Sequence, residues 1–274
     1  MKNIVDKEWL LNQIHNSKIR IVDCRFSLAE KEKGRQEYEE SHIPGAVFLD
    51  IEKDLSSAVG MHGGRHPMPN LEVLISKLEK AGINENVSVV AYDNGEGAFA
   101  GRFWWLLQYL GHDDVFVLNG GFKQWKEANY PVTSAEPTFE KVEFHGCARE
   151  ELLADVEEVR AVSTGKTDAV LIDSREAKRY LGIEEPIDKK AGHIPGAINK
   201  PFLECFSAGQ FKSVEEQKER FADIDPEKQI IVYCGSGITA TPNYMALKEA
   251  GFEKVKLYLG SFSDWISYEE NKID

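Results

Sequence analysis

Short runs of β-branched and other apolar residues alternate along this chain with longer stretches of helical periodicity. The run 230–233 is typical of a buried strand, and the stretches 70–81 and 214–222 have the apolar spacing of amphipathic helices. Gly82 and Gly251 follow helix-like stretches where a C-cap falls. This alternation predicts α/β domains, each with a mainly parallel sheet flanked by helices.

The pattern occurs twice, because blocks of the first half return in the same order in the second half. The matched blocks are 21–25 (IVDCR) with 171–175 (LIDSR), 42–46 with 193–197 (both HIPGA), 89–93 (VVAYD) with 230–234 (IIVYC), and 118–122 (LNGGF) with 258–262 (YLGSF). We therefore predict two domains of one fold, at residues 1–130 and 149–274. The stretch 131–148 lacks helical periodicity and is predicted to be the linker.

Cys234 is the clearest candidate for chemistry. It ends the strand-like run 230–233 and opens a loop with two glycines, which precedes the helix-like stretch 243–248. Backbone N–H groups and the positive end of a helix dipole converge at such a junction and stabilise an anion on sulfur. The matching residue of the first half is Asp93, in an acidic loop that we expect to repel anions. Only the second half is therefore predicted to be reactive.

Composition narrows the possible partners. The chain has 274 residues, a net charge of −13 and four cysteines without close spacing. This charge disfavours nucleic acid as a partner, and no apolar run approaches the ~20 residues of a membrane span. The first residues lack a signal region, so we expect a cytoplasmic protein that does not associate with a membrane. The cysteine spacing predicts no metal site and no disulfide scaffold, and we expect no cofactor.

The combined motifs resemble those of the tandem-domain rhodanese-like sulfurtransferases. These motifs are the HIPGA blocks, the Asp-x-Arg turns, the loop after Cys234 and the Phe–Trp pairs that end each half. The resemblance implies two tandem rhodanese-like domains, with the catalytic cysteine in the second and Asp93 at its place in the first. The loop Cys-Gly-Ser-Gly-Ile-Thr-Ala is similar to that of the 3-mercaptopyruvate sulfurtransferases. The thiosulfate branch usually has basic residues where this chain has Gly235 and Ser236.

The resemblance also implies a mechanism. Cys234 takes a sulfane sulfur from 3-mercaptopyruvate, a small anionic donor, and holds it as a persulfide. The sulfur then passes to cyanide or to a thiol acceptor such as thioredoxin or a small thiol. The backbone N–H groups expected to cradle the persulfide belong to Gly235, Gly237, Ile238, Thr239 and Ala240.

A proton relay is implied by three further positions. Ser236 matches the loop serine that the family uses together with a histidine and an acid. The histidine is His66 and the acid is Glu52, where some relatives have aspartate. Glutamate keeps the charge on a longer side chain.

Binding of the donor anion is assigned by the resemblance to Arg179. A guanidinium suits a bidentate carboxylate. Mercaptopyruvate enzymes often have a second arginine about nine residues further on, where this chain has Asp188 followed by Lys189 and Lys190. Either of these two lysines is therefore a candidate for the second contact with the donor anion.

Two other functions fit the motifs, and a third fits poorly. Thiosulfate could be the donor, or Cys234 could be a non-catalytic persulfide carrier for a protein partner. A cysteine phosphatase needs an arginine six residues after the cysteine, where this chain has Ala240.

The histidines of the two HIPGA blocks occur in both halves, and we expect structural roles for them. We expect Arg25 and Arg175, each beside an aspartate, to tie together the loops of their own domain.

Overall fold

The computed structural model describes all 274 residues and divides into two compact units. The first unit comprises Met1–Ser57, Pro69–Arg149 and Gly209–Phe211, and the second comprises Ala58–Met68, Glu150–Ala208 and Lys212–Asp274. Two short segments thus belong to the unit formed mainly by the other half of the sequence. The segment 131–148, predicted as the linker, contains no helix or strand and belongs to the first unit.

The first unit contains a five-stranded parallel sheet. Its elements are β1 (Ile4–Val5), α1 (Lys7–Gln13), β2 (Ile19–Asp23), α2 (Lys33–Glu40), β3 (Ala46–Phe48), α3 (Leu71–Lys80), β4 (Ser88–Tyr92), α4 (Ala98–Tyr109), β5 (Val115–Leu118) and α5 (Gly121–Glu127). The strand order is β1-β5-β4-β2-β3, and every neighbouring pair is parallel.

The second unit contains a four-stranded parallel sheet of order β11-β10-β6-β7. The elements of the second half are α6 (Val156–Ser163), β6 (Ala169–Asp173), α7 (Ala177–Tyr180), β7 (Ile198–Asn199), β8 (Phe206–Ser207), β9 (Gln210–Phe211), α8 (Val214–Arg220), β10 (Gln229–Tyr233), α9 (Thr241–Ala250), β11 (Val255–Leu257) and α10 (Ser261–Trp265). Short 3₁₀ turns occupy Glu150–Leu152 and Phe202–Cys205.

The two sheets share one topology, which confirms the predicted repeat. The order β11-β10-β6-β7 corresponds to β5-β4-β2-β3 of the first unit. Even the edge strand β1 has a remnant in the second unit, where Leu153 forms a parallel bridge to Leu257 of β11. The cores also correspond, because Phe122 and Trp125 are buried in one unit as Phe262 and Trp265 are in the other.

Local signals explain where the predicted helices begin and end. The Asn70 side chain accepts the Val73 N–H and so caps α3, and a capping box at Ser213 begins α8. Gly251 ends α9 with φ +97°, a left-handed conformation that favours glycine. No helix combines the length and the apolar character that crossing a membrane requires.

Each unit has a buried Asp–Arg pair at the carboxyl end of its first long strand. Arg25 Nη2 lies 2.6 Å from Asp23 Oδ2, and Arg175 Nη2 lies 2.7 Å from Asp173 Oδ2. Arg175 also donates to the Gly192 carbonyl, 2.7 Å away, just before the second HIPGA block. The predicted role of these arginines in joining loops within a domain is confirmed.

The histidines of the HIPGA blocks pack in the same way in both units. His42 stacks on Tyr38 and its Nδ1 hydrogen-bonds the Tyr38 carbonyl, and His193 does the same with Tyr180. This shared packing supports the prediction of structural roles, since one of the two units has no thiol at its loop.

Candidate active site

Cys234 lies directly after β10, at the carboxyl end of the second sheet, and its backbone is fixed on both sides. Its N–H donates to Ser261 Oγ at 3.1 Å, and its carbonyl accepts the Phe262 N–H at 2.9 Å. The side chain is buried, with the residue only 1% exposed. The Gly237 N–H donates to Sγ at 3.2 Å, so the loop folds back over the sulfur. The Gly237 N–H is therefore one donor that the loop directs at the sulfur.

The loop between Cys234 and α9 presents further unused donors. The backbone N–H groups of Ile238, Thr239 and Ala240 donate to no group of the protein. Gly237 has φ +74°, so this position favours a glycine. Ile238 and Ala240 are buried residues, and buried N–H groups without acceptors are rare in proteins. These N–H groups lie just before the N-terminus of a ten-residue helix. The arrangement can accept an anion.

The matching loop of the first unit is already filled by its own carboxylate. Asp93 Oδ1 accepts the N–H groups of Gly95 and Gly97 at 2.8 and 3.0 Å, and Oδ2 accepts those of Phe99 and Ala100 at 3.1 and 3.2 Å. We expected the acidity of this loop to repel anions, and the structure shows a more specific feature. The Asp93 carboxylate takes the donors that an external anion would need.

Ser236 and His66 are brought together, as the family resemblance implied. Ser236 Oγ and His66 Nδ1 lie 2.8 Å apart, and both residues are buried. His66 belongs to Ala58–Met68, the segment of the first half that is part of the second unit. Its neighbours in that segment are held in the unit, since the Gly63 N–H donates to Asp264 and the Arg65 N–H donates to Ser263 Oγ.

The third predicted relay residue, Glu52, belongs to the first unit. Its carboxylate forms an ion pair with Lys31, with Oε2 and Nζ 2.9 Å apart, and its side chain is 32% exposed. Its backbone N–H donates to the buried Asp50 carboxylate at 2.8 Å. A part for Glu52 in the relay stays a prediction.

Arg179 lies in α7 and is engaged by two buried carboxylates. Its Nη2 lies 2.8 Å from Glu185 Oε1 and 2.8 Å from Asp188 Oδ2, and its Nε lies 3.0 Å from Glu185 Oε2. Lys189 and Lys190 are exposed and form no ion pair with any residue. They line a cavity of about 510 Å³ together with Arg65 and Asp188.

Arg65 was missed by the sequence reasoning. Its Nη1 forms an ion pair with Asp188, the residue at the place of the family's second arginine. The pKa of the Arg65 guanidinium is lowered, mainly by burial, and negative charge on Cys234 opposes this shift. The two groups therefore lie within electrostatic reach of each other. A signal was present in the sequence, because Arg65 directly precedes the predicted relay residue His66.

The other cysteines differ from Cys234 in their surroundings. Burial raises the pKa of Cys205 to about 12, and burial together with nearby carboxylates raises the pKa of Cys24 well above the usual range. Cys147 is exposed. Cys234 is thus the thiol that lies in a loop with free donors.

These features define a rhodanese-like domain, in which a strand–loop–helix junction surrounds a nucleophilic sulfur. A family model described as the rhodanese-like domain matches residues 6–128 and 155–268. The chain belongs to this family, and the predicted fold class of two tandem α/β domains is confirmed.

Particular relatives match almost the whole chain. A probable 3-mercaptopyruvate sulfurtransferase of Pseudomonas aeruginosa is 40% identical over 270 residues, which is 96% of this chain and 95% of the relative. A thiosulfate sulfurtransferase of Gallus gallus is 33% identical over 273 residues, covering 96% and 92%. The crystal structure of SseA from Escherichia coli, described as a 3-mercaptopyruvate sulfotransferase, matches with a TM-score of 0.85 and 32% identity, covering 96% of this chain and 100% of that one.

Proposed function

We propose that this chain is a sulfurtransferase that moves sulfur from 3-mercaptopyruvate to a thiol acceptor or cyanide through a persulfide on Cys234. One observation carries the proposal. Cys234 Sγ lies in a loop whose Ile238, Thr239 and Ala240 N–H groups are free, whereas Asp93 fills the same loop of the first unit. The relatives named above support the same chemistry.

The first half-reaction transfers sulfur to the enzyme. The Cys234 thiolate attacks the donor sulfur, and the carbon–sulfur bond breaks with its electron pair remaining on carbon. The products are the Cys234 persulfide and the enolate of pyruvate, which needs one proton at its methylene carbon. The proton of the donor thiol can pass through His66 and the Ser236 hydroxyl, 2.8 Å apart, to this carbon, which leaves the persulfide as an anion. The free N–H groups of the loop stabilise the charge on the persulfide.

The second half-reaction restores the thiolate. An acceptor thiolate or cyanide attacks the outer sulfur, the S–S bond breaks with its electron pair on Cys234 Sγ, and the acceptor leaves with the sulfur. A covalent intermediate between two half-reactions gives ping-pong kinetics. We propose thioredoxin or a small thiol as acceptor and the cytoplasm as compartment, where four unpaired cysteines are normal.

The charges around the loop favour 3-mercaptopyruvate over thiosulfate as donor. The first two loop residues, Gly235 and Ser236, carry no charge. The nearest arginines are matched by buried carboxylates, in the ion pairs Arg175–Asp173, Arg179–Glu185 and Arg65–Asp188. Such a balanced cluster suits the single carboxylate of mercaptopyruvate better than the two charges of thiosulfate. Thiosulfate remains the second candidate because a thiosulfate sulfurtransferase is among the relatives.

A single-turnover experiment tests the covalent step. The protein is mixed with 3-mercaptopyruvate without acceptor, and its intact mass is measured. We expect a gain of one sulfur atom in the wild type and in Cys147→Ser, which removes the exposed thiol, but no gain in Cys234→Ser. A persulfide located on another cysteine would overturn the assignment. A Cys234 persulfide that no small thiol or cyanide discharges would favour the carrier function.

A further inference from the structure

Two guanidinium groups and one carboxylate converge on the residue that follows the nucleophile. A Cβ atom placed on Gly235 would lie 2.8 Å from Arg65 Nη2, 3.5 Å from Arg179 Nη2 and 3.5 Å from Asp188 Oδ2. Any side chain at this position would displace the Arg65 guanidinium. The glycine therefore allows this close approach of the arginine, and its backbone conformation does not itself favour glycine, because Gly235 does not have a positive φ.

The two guanidiniums differ in the donors that they have left. Arg179 uses Nε and Nη2 on Glu185 and shares Nη2 with Asp188, and its side chain is 16% exposed. Arg65 makes one side-chain ion pair, from Nη1 to Asp188, and its side chain is 32% exposed. Its Nε and Nη2 donate to no group of the protein. Arg65 is thus the cation beside Gly235 with an open edge of two donors.

Asp188 is what holds this edge in place. Its side chain is 1% exposed, and it accepts from Arg65 through Oδ1 and from Arg179 through Oδ2. Glu185 in turn holds Arg179 and accepts the backbone N–H groups of Ile187 and Asp188. These four side chains form a series of ion pairs from Glu185 to Arg65, and Glu185 also pairs with Arg175.

We propose that Arg65 binds the carboxylate of the sulfur donor through its free Nε and Nη2, and that Asp188 and Arg179 are positioning residues for it. This inference rests on the function proposed above. It assigns to Arg65 the contact that the sequence resemblance assigned to Arg179. An open guanidinium edge matches a carboxylate with two parallel hydrogen bonds. Arg179 has its Nε–Nη2 edge on Glu185, so only its Nη1 is unused.

Ping-pong kinetics allow a selective test. The kcat/KM for the donor reports only the first half-reaction, and the kcat/KM for the acceptor reports the second. In Arg65→Gln we expect kcat/KM for 3-mercaptopyruvate to fall about 10- to 100-fold, the effect of losing a charge-assisted hydrogen-bonded pair. The acceptor kcat/KM should stay unchanged. Arg65→Lys should recover part of the loss, because it restores the charge without the paired geometry.

The methyl ester of 3-mercaptopyruvate, which has no carboxylate charge, shows whether the carboxylate is the group recognised. The wild type should prefer the acid to the ester, and Arg65→Gln should lose most of this preference. Arg35→Gln is the matched control, since it removes one positive charge from an exposed residue of the first unit that pairs with Glu39 and Glu136. It should behave as the wild type.

Failure of this inference differs from failure of the proposed function. If the wild type turns over 3-mercaptopyruvate but Arg65→Gln keeps the preference for the acid, Arg65 does not bind the carboxylate. Loss of that preference in Arg179→Gln alone would assign the contact to Arg179. An equal fall of donor and acceptor kcat/KM in Arg65→Gln would indicate a structural role and would also overturn the inference. A wild type with no transfer from either donor would instead refute the proposed function.

Discussion

We propose that one residue decides which of the two similar loops can react. Asp93 and Cys234 occupy the same place after the same strand, and backbone N–H groups surround both side chains. A carboxylate there is a permanent internal anion that fills its own cradle. A thiolate is a smaller anion that can carry an additional sulfur atom into the remaining donors. The two units therefore differ at this position, and the second unit also contains His66 and Arg65 from the segment 58–68.

The Ser236–His66 pair should matter only for donors whose leaving group needs a proton. We expect His66→Asn to lower kcat with 3-mercaptopyruvate about 100-fold, the size of a general acid–base contribution. Thiosulfate should be affected much less, because sulfite leaves without a proton. Steady-state rates with each donor and one common acceptor provide the measurement, and the thiosulfate reaction is its internal control.

Equal losses with both donors would contradict the relay and would point to a structural role of His66. Glu52→Gln extends the same comparison to the third predicted member. A loss selective for mercaptopyruvate would support Glu52 in the relay. Unchanged rates would limit Glu52 to its ion pair with Lys31.

At the scale of elements, the loop after Cys234 is connected to a buried ion pair at the carboxyl end of the second sheet. Asp173, at the end of β6, is fully buried and holds Arg175, which stacks on Phe262 of α10. The backbone N–H of Phe262 in turn binds the Cys234 carbonyl. Helix α10 thus connects the ion pair to the nucleophile.

Removing the cation should leave a buried charge without its partner. We expect Arg175→Met to lower the free energy of unfolding by about 3–5 kcal/mol. Urea denaturation followed by tryptophan fluorescence measures it. Lys228→Ala is the control, because it removes one partner of the solvent-exposed pair Lys228–Asp168 and should change the stability little. If both variants unfolded at the same urea concentration, the buried pair would not be what holds this end of the sheet.

The elements and part of the site were predictable because their signals are local. Strand β10 and helices α3 and α8 follow from apolar periodicity and caps, and the repeated blocks place them in two similar sheets. Cys234, Ser236 and His66 lie in recognisable short motifs. The ion pair of Arg65 with Asp188 joins residues 123 positions apart, and no local sequence pattern indicates it. The sequence showed that Asp188 departs from the family pattern, but it did not show that Arg65 is the ion-pair partner of Asp188.

At the scale of the whole molecule, the second unit is built from both halves of the sequence. Arg65 and His66 come from a segment far upstream of Cys234, and they belong to the same compact unit as the nucleophile. A fragment of residues 149–274 has the thiol but lacks both of these side chains. The reaction therefore belongs to the full chain, and the unreactive half of the sequence contributes residues to the reactive unit.

We propose that Cys234 transfers sulfur from 3-mercaptopyruvate in a site with balanced charges. The most direct test compares kcat/KM for 3-mercaptopyruvate and for thiosulfate, with one thiol acceptor, in the wild type and in Cys234→Ser. We expect at least a tenfold preference for 3-mercaptopyruvate, about 1.4 kcal/mol of transition-state stabilisation, and no activity in Cys234→Ser. A preference for thiosulfate, or full activity without the Cys234 thiol, would contradict this claim.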